Sequence, residues 1–277
     1  METRIPLEGT GINGYHGGDQ EGERAPLVFL HGITCRWQDF LPLLGGLEGE
    51  YPVHALDFRG HGGSDRRPGQ YDFTDYAGDT ARFLGTLKEP PVILGHSMGG
   101  LVAALTAGRS SQVPRGLILF DPPLFVMEQE ISWTRDTFLL WYEASEEREP
   151  ELIREKIRRK LPGLPEGYYR DRAADLLELD RTVLEPALNL NGKGYSPFDR
   201  REVLRNLPCP VLIFYGDPRK GAVLGPREAE VLKGENPSFR LVQVPGAGHS
   251  FHKTRAERIL PEIRRFLESL PPGDAPV

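Results

Sequence analysis

Long apolar runs are missing from this sequence of 277 residues, and none approaches the roughly 18 residues of a membrane-spanning helix. The first residues, 1–6, lack the basic head and apolar stretch of a signal peptide. Acidic residues outnumber basic ones, 40 to 34, and no basic stripe alternates with aromatic side chains, which argues against a nucleic-acid partner. We therefore expect a globular protein of the cytoplasm.

Cysteine is scarce, and so are the patterns that hold metals and cofactors. The only two cysteines are Cys35 and Cys209. They leave one pairing open, but free thiols are the usual state of two cysteines in a chain of this kind. No group of residues has the spacing of a zinc site, and no phosphate loop of the G-x-x-x-x-G-K type is present. We expect neither a metal ion nor a cofactor.

Six short apolar runs alternate with stretches of helical character. The runs, each a predicted strand, cover residues 27–30, 53–56, 92–94, 117–120, 211–215 and 241–244. They are apolar continuously rather than at every second residue, which is typical of strands buried on both faces of a parallel sheet. Helices are predicted at 73–87, 101–108 and 255–270. The alternation predicts an α/β fold with a mostly parallel central sheet flanked by helices.

One interval, from Asp121 to Pro208, contains no convincing strand. Its stretches 146–160 and 168–184 predict charged amphipathic helices. An insertion at the carboxyl end of a strand lies over the crevice in which such sheets bind ligands. The prediction is therefore a core made of residues 1–122 and 205–277, with residues 123–204 inserted as a helical cap, or lid.

The predicted cap is rich in large apolar side chains that suit the wall of a substrate pocket. The candidates are Phe125, Met127, Trp133, Phe138, Leu139, Trp141 and Tyr142. Of these, we predict as pocket residues Phe125, Trp133, Phe138 and Trp141. Side chains of this kind also attach an insertion to its core, and for each residue that alternative stays open.

The residues 95–99, Gly-His-Ser-Met-Gly, stand between a predicted strand and a predicted helix. This is a G-x-S-x-G pattern at a strand–turn–helix junction. A turn this tight crowds the backbone around the serine, so glycine is needed on both sides. The hydroxyl then projects above the sheet edge, where the free N–H groups of the helix start face any negative charge that develops. We predict that Ser97 is a nucleophile.

A serine nucleophile needs a base that accepts its proton. His249 follows the last predicted strand, and loops after parallel strands lie at the same sheet edge as Ser97. His252 is a weaker alternative because it is expected to begin a helix, and His96 is adjacent to the serine in a turn that directs it elsewhere. Three further histidines are expected to make local hydrogen bonds: His31, His54 and His61.

The base in turn needs an acid that orients it. Asp121 ends its strand directly and is followed by Pro122 and Pro123, which stiffen the local backbone. Asp217 ends the next predicted strand after Gly216. Both keep the chain order serine, acid, histidine. We predict Asp121 as the acid, with Asp217 as the alternative.

Acyl chemistry also requires two N–H groups that stabilise an oxyanion. One is expected from Met98, the residue after the nucleophile. The other is expected from Ile33, in the turn after the strand 27–30, where Gly32 allows a close approach of the backbone. Cys35 lies near this turn, and we interpret it as structural.

With these residues in place, the chain resembles the α/β-hydrolase fold superfamily, in its lipase- and esterase-like branch with a helical cap. The resemblance rests on four blocks that frame the chain outside the cap: residues 29–32, 57–65, 95–99 and 246–249. It implies Ser97 as nucleophile and His249 as base, and a scaffold role for the block 57–65.

The chain departs from the family pattern at the acid. Many members carry it in a Gly-x-x-Asp pattern after the penultimate strand, where this chain reads Gly216-Asp217-Pro218-Arg219. Arginine therefore stands where the carboxylate is expected. Some branches carry the acid one strand earlier, which corresponds to Asp121.

The resemblance and the residues together predict a serine carboxylic-ester hydrolase that acts on a small acyl ester. Dehalogenases and epoxide hydrolases of this fold use aspartate at the position of Ser97, in the strand–turn–helix junction called the nucleophile elbow, so Ser97 argues against both. A C–C bond hydrolase, a lactonase and a cofactor-free perhydrolase stay open because they use the same triad. The remote alternative is a non-catalytic ligand-binding protein on the same scaffold.

Overall fold

A computed structural model describes residues 1–271, apart from 21, 126–131, 206 and the side chains of 132–134. The strands, in chain order, are β1 (Glu2–Leu7), β2 (Thr10–Gly17), β3 (Leu27–Leu30), β4 (Val53–Leu56), β5 (Val92–His96), β6 (Gly116–Phe120), β7 (Val211–Tyr215) and β8 (Arg240–Gln243). They form one eight-stranded sheet in the order β1-β2-β4-β3-β5-β6-β7-β8. The pairs β1–β2 and β2–β4 are antiparallel, and all other pairs are parallel.

The α-helices, in chain order, are α1 (Leu41–Leu47), α2 (Phe73–Leu84), α3 (Met98–Ala107), α4 (Ser132–Ala144), α5 (Pro150–Lys160), α6 (Glu166–Leu177), α7 (Glu185–Leu188), α8 (Arg200–Arg205), α9 (Pro226–Glu235), α10 (Phe251–Thr254) and α11 (Ala256–Ser269). Helices α1, α10 and α11 pack on one face of the sheet, and α2 and α3 pack on the other. The fold class is α/β, as predicted.

Each central strand supplies side chains to two hydrophobic cores, one on each face of the sheet. In β3, Leu27 and Phe29 belong to the core beneath α1 and α11, whereas Val28 and Leu30 belong to the core beneath α2 and α3. Because side chains alternate between the faces of a strand, a strand covered on both faces must be apolar throughout. All six apolar runs are strands, and this reason applies to five of them; β8, at the sheet edge, is only partly buried.

The hairpin formed by β1 and β2 was not predicted. Its residues show no continuous apolar run because β1 lies at the sheet edge, where most of its side chains are exposed. Gly9, with φ of +80°, makes the turn between the two strands, a conformation that glycine adopts without steric cost.

Helices α4 to α8 lie between β6 and β7; α4 to α7 lie within the predicted insertion 123–204, and α8 ends one residue beyond it. Their buried side chains include Trp141, Ile153, Ile157 and Leu176, and these belong to the same hydrophobic core as α2 and α3. The inserted helices are therefore packed onto the sheet domain through a continuous apolar core.

The composition predicts that the two cysteines are free and that no helix spans a membrane. Cys35 and Cys209 are both free thiols, and burial raises the pKa of Cys209 to about 12. Among the helices that the structure describes, none has the length and apolar character to cross a membrane.

Candidate active site

Ser97 lies in a sharp turn between β5 and α3. Its backbone has φ of 50° and ψ of −121°, outside the regions that residues with a side chain usually occupy. The two glycines of the motif are sterically required. A Cβ on Gly95 would overlap the Gly99 carbonyl oxygen, and a Cβ on Gly99 would overlap the carbonyl oxygen of Leu30. The turn therefore depends on both glycines.

His249 and Asp121 form a short hydrogen bond at the sheet edge. His249 Nδ1 lies 2.6 Å from Asp121 Oδ2. The Asp121 side chain is fully buried, and it also accepts hydrogen bonds from the backbone N–H groups of Val223 at 2.7 Å and Leu224 at 2.8 Å. A carboxylate that accepts bonds on both oxygens is held in one orientation, so the imidazole of His249 is oriented as well.

Asp217, the alternative acid, is directed elsewhere. Its carboxylate accepts hydrogen bonds from Arg219 Nε at 3.0 Å and Nη2 at 2.9 Å, and one from the Arg219 backbone N–H at 3.0 Å. These bonds lower the pKa of Asp217. The residue begins the short 3₁₀ segment Pro218–Lys220 as its N-cap. In this structure the acid beside His249 is Asp121.

The two amides predicted for an oxyanion hole both belong to residues that line the same cavity as Ser97 and His249. Gly32, next to Ile33, lies against Ser97: a Cβ there would be 3.2 Å from Ser97 Cβ. Among the residues that the structure describes, neither the Ile33 nor the Met98 N–H donates to a protein acceptor. Both are thus compatible with binding a substrate oxygen.

Unusual backbone geometry is concentrated at this site. In the described part of the chain, four non-glycine residues have positive φ: Thr34, Ser97, Asp121 and Asn189. Thr34 belongs to the turn beside Ile33, Ser97 to the turn between β5 and α3, and Asp121 to the residues directly after β6. Such conformations persist only where the surrounding structure enforces them, and they cluster at functional sites.

Buried histidines support the turn that carries Ile33. The backbone N–H of Thr34 donates to His61 Nε2 at 3.2 Å, and His61 Nδ1 lies 3.0 Å from the Arg59 carbonyl oxygen. His31 accepts from the backbone N–H of Phe58 at 3.0 Å through Nε2. Burial lowers the pKa of His31 and of His61, so both rings are neutral and make the local hydrogen bonds expected of them.

The block 57–65 contributes contacts between loops. The Asp57 carboxylate accepts from the backbone N–H of Trp37 and from the Asn13 side chain, both at 2.8 Å. Arg59 forms a buried ion pair with Asp79 at 2.6 Å. These bonds tie β2, the loop after β3 and helix α2 together beneath the site.

A buried polar cluster lies beside the elbow. Ligand atoms of Asp39, His96 and His252 lie within 4.8 Å of one another. However, the His96 and His252 rings are stacked with centroids 3.9 Å apart, and imidazole lone pairs lie in the ring plane, so the two rings do not direct them at one ion. Lys253 Nζ also lies 3.0 Å from Asp39 Oδ1. His96 instead contacts the His249 carbonyl oxygen through Nε2 at 3.1 Å and so supports the loop that carries His249.

A cavity of about 400 Å³ extends from Ser97 and His249 toward the inserted helices. Of the predicted pocket residues, Phe138 and Trp141 line it. Phe125 does not. Its ring is buried in the hydrophobic core that α2 and α3 share with the inserted helices, and the Arg200 guanidinium lies 4.1 Å from the ring centroid. The side chain of Trp133 lies outside the described residues, as does Met127.

Several residues at the site were not identified from the sequence. The amides of Val223 and Leu224 hold the Asp121 carboxylate, and the side chains of Tyr168 and Arg172 line the cavity. Backbone donors leave no residue-type signal. The two side chains belong to α6, far from the strand ends in sequence, and no spacing rule relates them to the elbow.

With this geometry in place, comparison with known proteins gives the family. A model of the alpha/beta hydrolase family matches residues 27–262, most of the chain. The chain therefore belongs to the α/β-hydrolase family, and it is a hydrolase of that family.

Curated relatives and a solved structure cover nearly the whole chain. It is 25% identical over 255 residues to 2-(acetamidomethylene)succinate hydrolase of Mesorhizobium japonicum, with 90% of each chain covered. It is 28% identical over 265 residues to a pimeloyl-[acyl-carrier protein] methyl ester esterase of Xanthomonas oryzae pv. oryzae, with 91% of this chain and 99% of that one covered. The crystal structure of E-2-(acetamidomethylene)succinate hydrolase aligns with a TM-score of 0.77 at 21% identity, over 97% of this chain and 99% of that chain, which supports the fold.

Proposed function

We propose that this chain is a serine carboxylic-ester hydrolase in which Ser97 is the nucleophile, His249 the base and Asp121 the acid. One observation carries the proposal: the 2.6 Å hydrogen bond between His249 Nδ1 and the buried Asp121 carboxylate, beside a cavity that Ser97 and His249 both line. A bond at Nδ1 favours the tautomer in which Nε2 has the lone pair, and that lone pair accepts the serine proton.

In the first half of the proposed reaction, Ser97 Oγ attacks the acyl carbonyl carbon while His249 Nε2 takes the hydroxyl proton. The N–H groups of Ile33 and Met98 stabilise the negative charge on the carbonyl oxygen. The Asp121 carboxylate stabilises the imidazolium. As the ester C–O bond breaks, His249 donates its proton to the leaving alcohol, and the acyl group stays on Ser97.

In the second half, water takes the place of the alcohol. His249 accepts a proton from water as the water oxygen attacks the acyl carbon. The same two amides bind the oxyanion, and the bond to Ser97 Oγ breaks as the serine regains a proton. Helices α4 to α7, within residues 123–204, act as the lid that covers the acyl group during these steps and excludes bulk water.

The relatives support hydrolysis and leave more than one bond type open. One is named as a methyl ester esterase, which supports an ester substrate. Another is named as a hydrolase of 2-(acetamidomethylene)succinate. The same triad also serves a C–C bond hydrolase, a lactonase or a cofactor-free perhydrolase, and these remain the alternative reactions.

The test is hydrolysis of p-nitrophenyl esters from acetate to palmitate by the wild type and Ser97→Ala. We expect turnover with a short-chain optimum, because a cavity of about 400 Å³ is at the small end of ligand sites. Ser97→Ala should lose at least about 10⁴-fold in kcat. Ser110→Ala, beyond the opposite end of α3, is the matched control and should retain full turnover.

Covalent labelling of Ser97 by a fluorophosphonate reports an activated serine and so distinguishes the alternative functions. Labelling without ester turnover would replace the ester assignment with narrower substrates such as lactones or C–C bonds. If the protein neither hydrolyses esters nor reacts with the probe, the result favours the alternative of a non-catalytic ligand-binding protein. Turnover that survives in Ser97→Ala would remove Ser97 from the mechanism.

A further inference from the structure

The wall of the cavity carries positive charge, whereas the chain as a whole is acidic. The sequence has 40 acidic and 34 basic residues. Arg172 and Lys220 line the cavity, and no aspartate or glutamate among the described residues does. A concave wall with charge of one sign raises the local concentration of ligands of the opposite sign. The wall therefore favours an anionic ligand.

The guanidinium of Arg172 is held in place through one nitrogen atom. Nη1 donates to the Thr34 carbonyl oxygen at 2.9 Å and to Thr34 Oγ1 at 3.1 Å. The Trp141 ring packs against the same group, with its centroid 5.3 Å from Cζ. An arginine fixed in this way loses little further conformational freedom when it binds a ligand.

The other edge of this guanidinium is unpaired. In the part of the chain that the structure describes, every polar contact of Arg172 uses Nη1. Nε is buried without a hydrogen-bond partner, an unfavourable arrangement that calls for an acceptor. The pair Nε and Nη2 is the fork with which arginine binds a carboxylate at two points.

The neighbouring carboxylate of Asp175 does not satisfy this charge. Asp175 Oδ1 accepts a hydrogen bond from Arg36 Nε at 3.0 Å, whereas Oδ2 lies 3.5 Å from Arg172 Nη1, beyond good hydrogen-bond distance. Burial also raises the pKa of Asp175 to about 6. Arg36 is paired with Asp175 and, at 2.7 Å, with Glu178, and neither carboxylate contacts Nε or Nη2 of Arg172 in the described part of the chain.

Arg172 lies on the side of the cavity where the scissile carbonyl is expected. Thr34, which it contacts, directly follows Ile33 in the chain. The guanidinium is therefore within about 10 Å of the Ile33 amide. A ligand that reaches both groups needs only a short chain between its anionic group and its reacting carbonyl.

Resting on the function proposed above, we propose that the substrate is an anionic ester whose carboxylate binds Arg172. The substrate class is the half-ester of a short dicarboxylic acid. Water is added across the ester C–O bond, which releases the alcohol and the dicarboxylate. Lys220, which is exposed and lines the cavity, attracts the anion at longer range.

The test compares two substrates of nearly equal shape. Monomethyl glutarate carries a carboxylate, and the methyl ester of glutaramic acid carries a neutral amide in its place. Titration of released acid gives kcat/KM for both. We expect the wild type to prefer the anionic ester at least about tenfold. Arg172→Met should bring the ratio to within about twofold of one, and Lys220→Met should lower it a few-fold, chiefly at low salt.

Arg36→Met is the matched control because Arg36 shares Asp175 but does not line the cavity. It should leave the ratio unchanged even where turnover falls. If Arg172→Met lowers kcat/KM for both esters equally, Arg172 only positions the Thr34 turn and the proposal is wrong. The proposal is also wrong if the wild type hydrolyses p-nitrophenyl esters but shows no preference for the anionic ester over the neutral amide ester. Absence of all ester turnover removes the proposed function itself.

Discussion

The sheet edge and the inserted helices form the same cavity in different ways. At the sheet edge, Ser97 and Asp121 are held by main-chain contacts, have positive φ, and leave little room for change around them. From the inserted helices, Trp141 and Arg172 reach the cavity with long side chains. The position of Arg172 depends on a few hydrogen bonds and ion pairs.

We infer from this difference that the sheet edge determines the proposed chemistry, whereas the inserted helices determine substrate selectivity. Groups that transfer protons must hold their geometry, and a backbone that is sterically determined provides it. Side chains on inserted helices change with little effect on the sheet, so the same chemistry can be combined with different pockets. We therefore expect substitutions at the sheet edge to abolish turnover or folding, and substitutions in the helices to change substrate preference.

The largest expected effect is at Asp121, the proposed acid. Asp121→Asn should lower kcat by about 10⁴-fold, because the amide no longer holds His249 in the required tautomer. It should also cost about 1–3 kcal/mol of stability, since one backbone N–H of the Val223–Leu224 pair would face an NH₂ donor. Steady-state kinetics and urea unfolding measure the two effects.

Asp217→Asn is the control for this prediction. Its carboxylate binds Arg219 at the surface, so kcat should stay within a few-fold of the wild type. If Asp217→Asn were the damaging change and Asp121→Asn the mild one, the acid would have to be reassigned.

Glycine substitutions compare the two regions directly. In Gly99→Ala, the new Cβ would overlap backbone oxygens of Leu30 and His31. We expect a loss of more than about 4 kcal/mol or failure to fold. In Gly167→Ala, within α6, the nearest atom is Arg170 Nη2 at 3.7 Å, so the change should stabilise the protein by up to about 1 kcal/mol. Thermal unfolding measures both, and similar losses at the two positions would contradict the comparison.

The parallel strands could be predicted because burial on both faces requires continuous apolar residues. The hairpin of β1 and β2 could not, because β1 is mostly exposed at the sheet edge and β2 is interrupted by glycine and polar residues, so neither shows such a run. Helices α1 and α9 were also missed. The first is short and includes two glycines, and the second has only Ala229 and Leu232 buried.

The residues of the candidate site also differ in whether the sequence could predict them. Ser97, Asp121 and His249 follow strands, and the carboxyl ends of parallel strands meet at one edge, so their proximity follows from topology. Arg172 meets Thr34 across 138 residues of sequence through the packing of one helix on a loop. Local pattern does not encode that contact. Phe125 illustrates the same limit, because an aromatic residue that lines a pocket and one that packs in the core have the same sequence signature.

Lowering the pH should reduce the free energy of unfolding through the buried histidines outside residues 123–204. None of the seven histidines lies in residues 123–204, and burial lowers the pKa of His252 from 6.5 to about 3. Its contribution to stability is therefore complete above pH 6.5 and is lost as the pH falls toward 3. His252→Phe should reduce the loss of stability between pH 7 and pH 5 by about 2 kcal/mol, as measured by urea unfolding at both values.

Asp175 in α6 provides the opposite case. Burial raises its pKa to about 6, so its contribution is present at low pH and is lost as the pH rises through 6. Asp175→Asn should therefore change the pH dependence of stability in the opposite direction to His252→Phe. Equal pH profiles for both variants and the wild type would show that neither group titrates as described.

The smallest expected effect is a change in the preferred acyl-chain length, caused by a substitution in the inserted helices. Phe138 lines the cavity, whereas Leu139, the next residue of α4, is 43% exposed and does not. Phe138→Ala should move the optimum of the p-nitrophenyl ester series to longer chains and lower kcat/KM for short ones by up to about tenfold, because apolar contact with the acyl group is lost. Leu139→Ala should leave the optimum unchanged. If Phe138→Ala instead lowered kcat for every ester by the same factor, α4 would support the catalytic geometry, and the separation between sheet edge and helices would not hold for this helix.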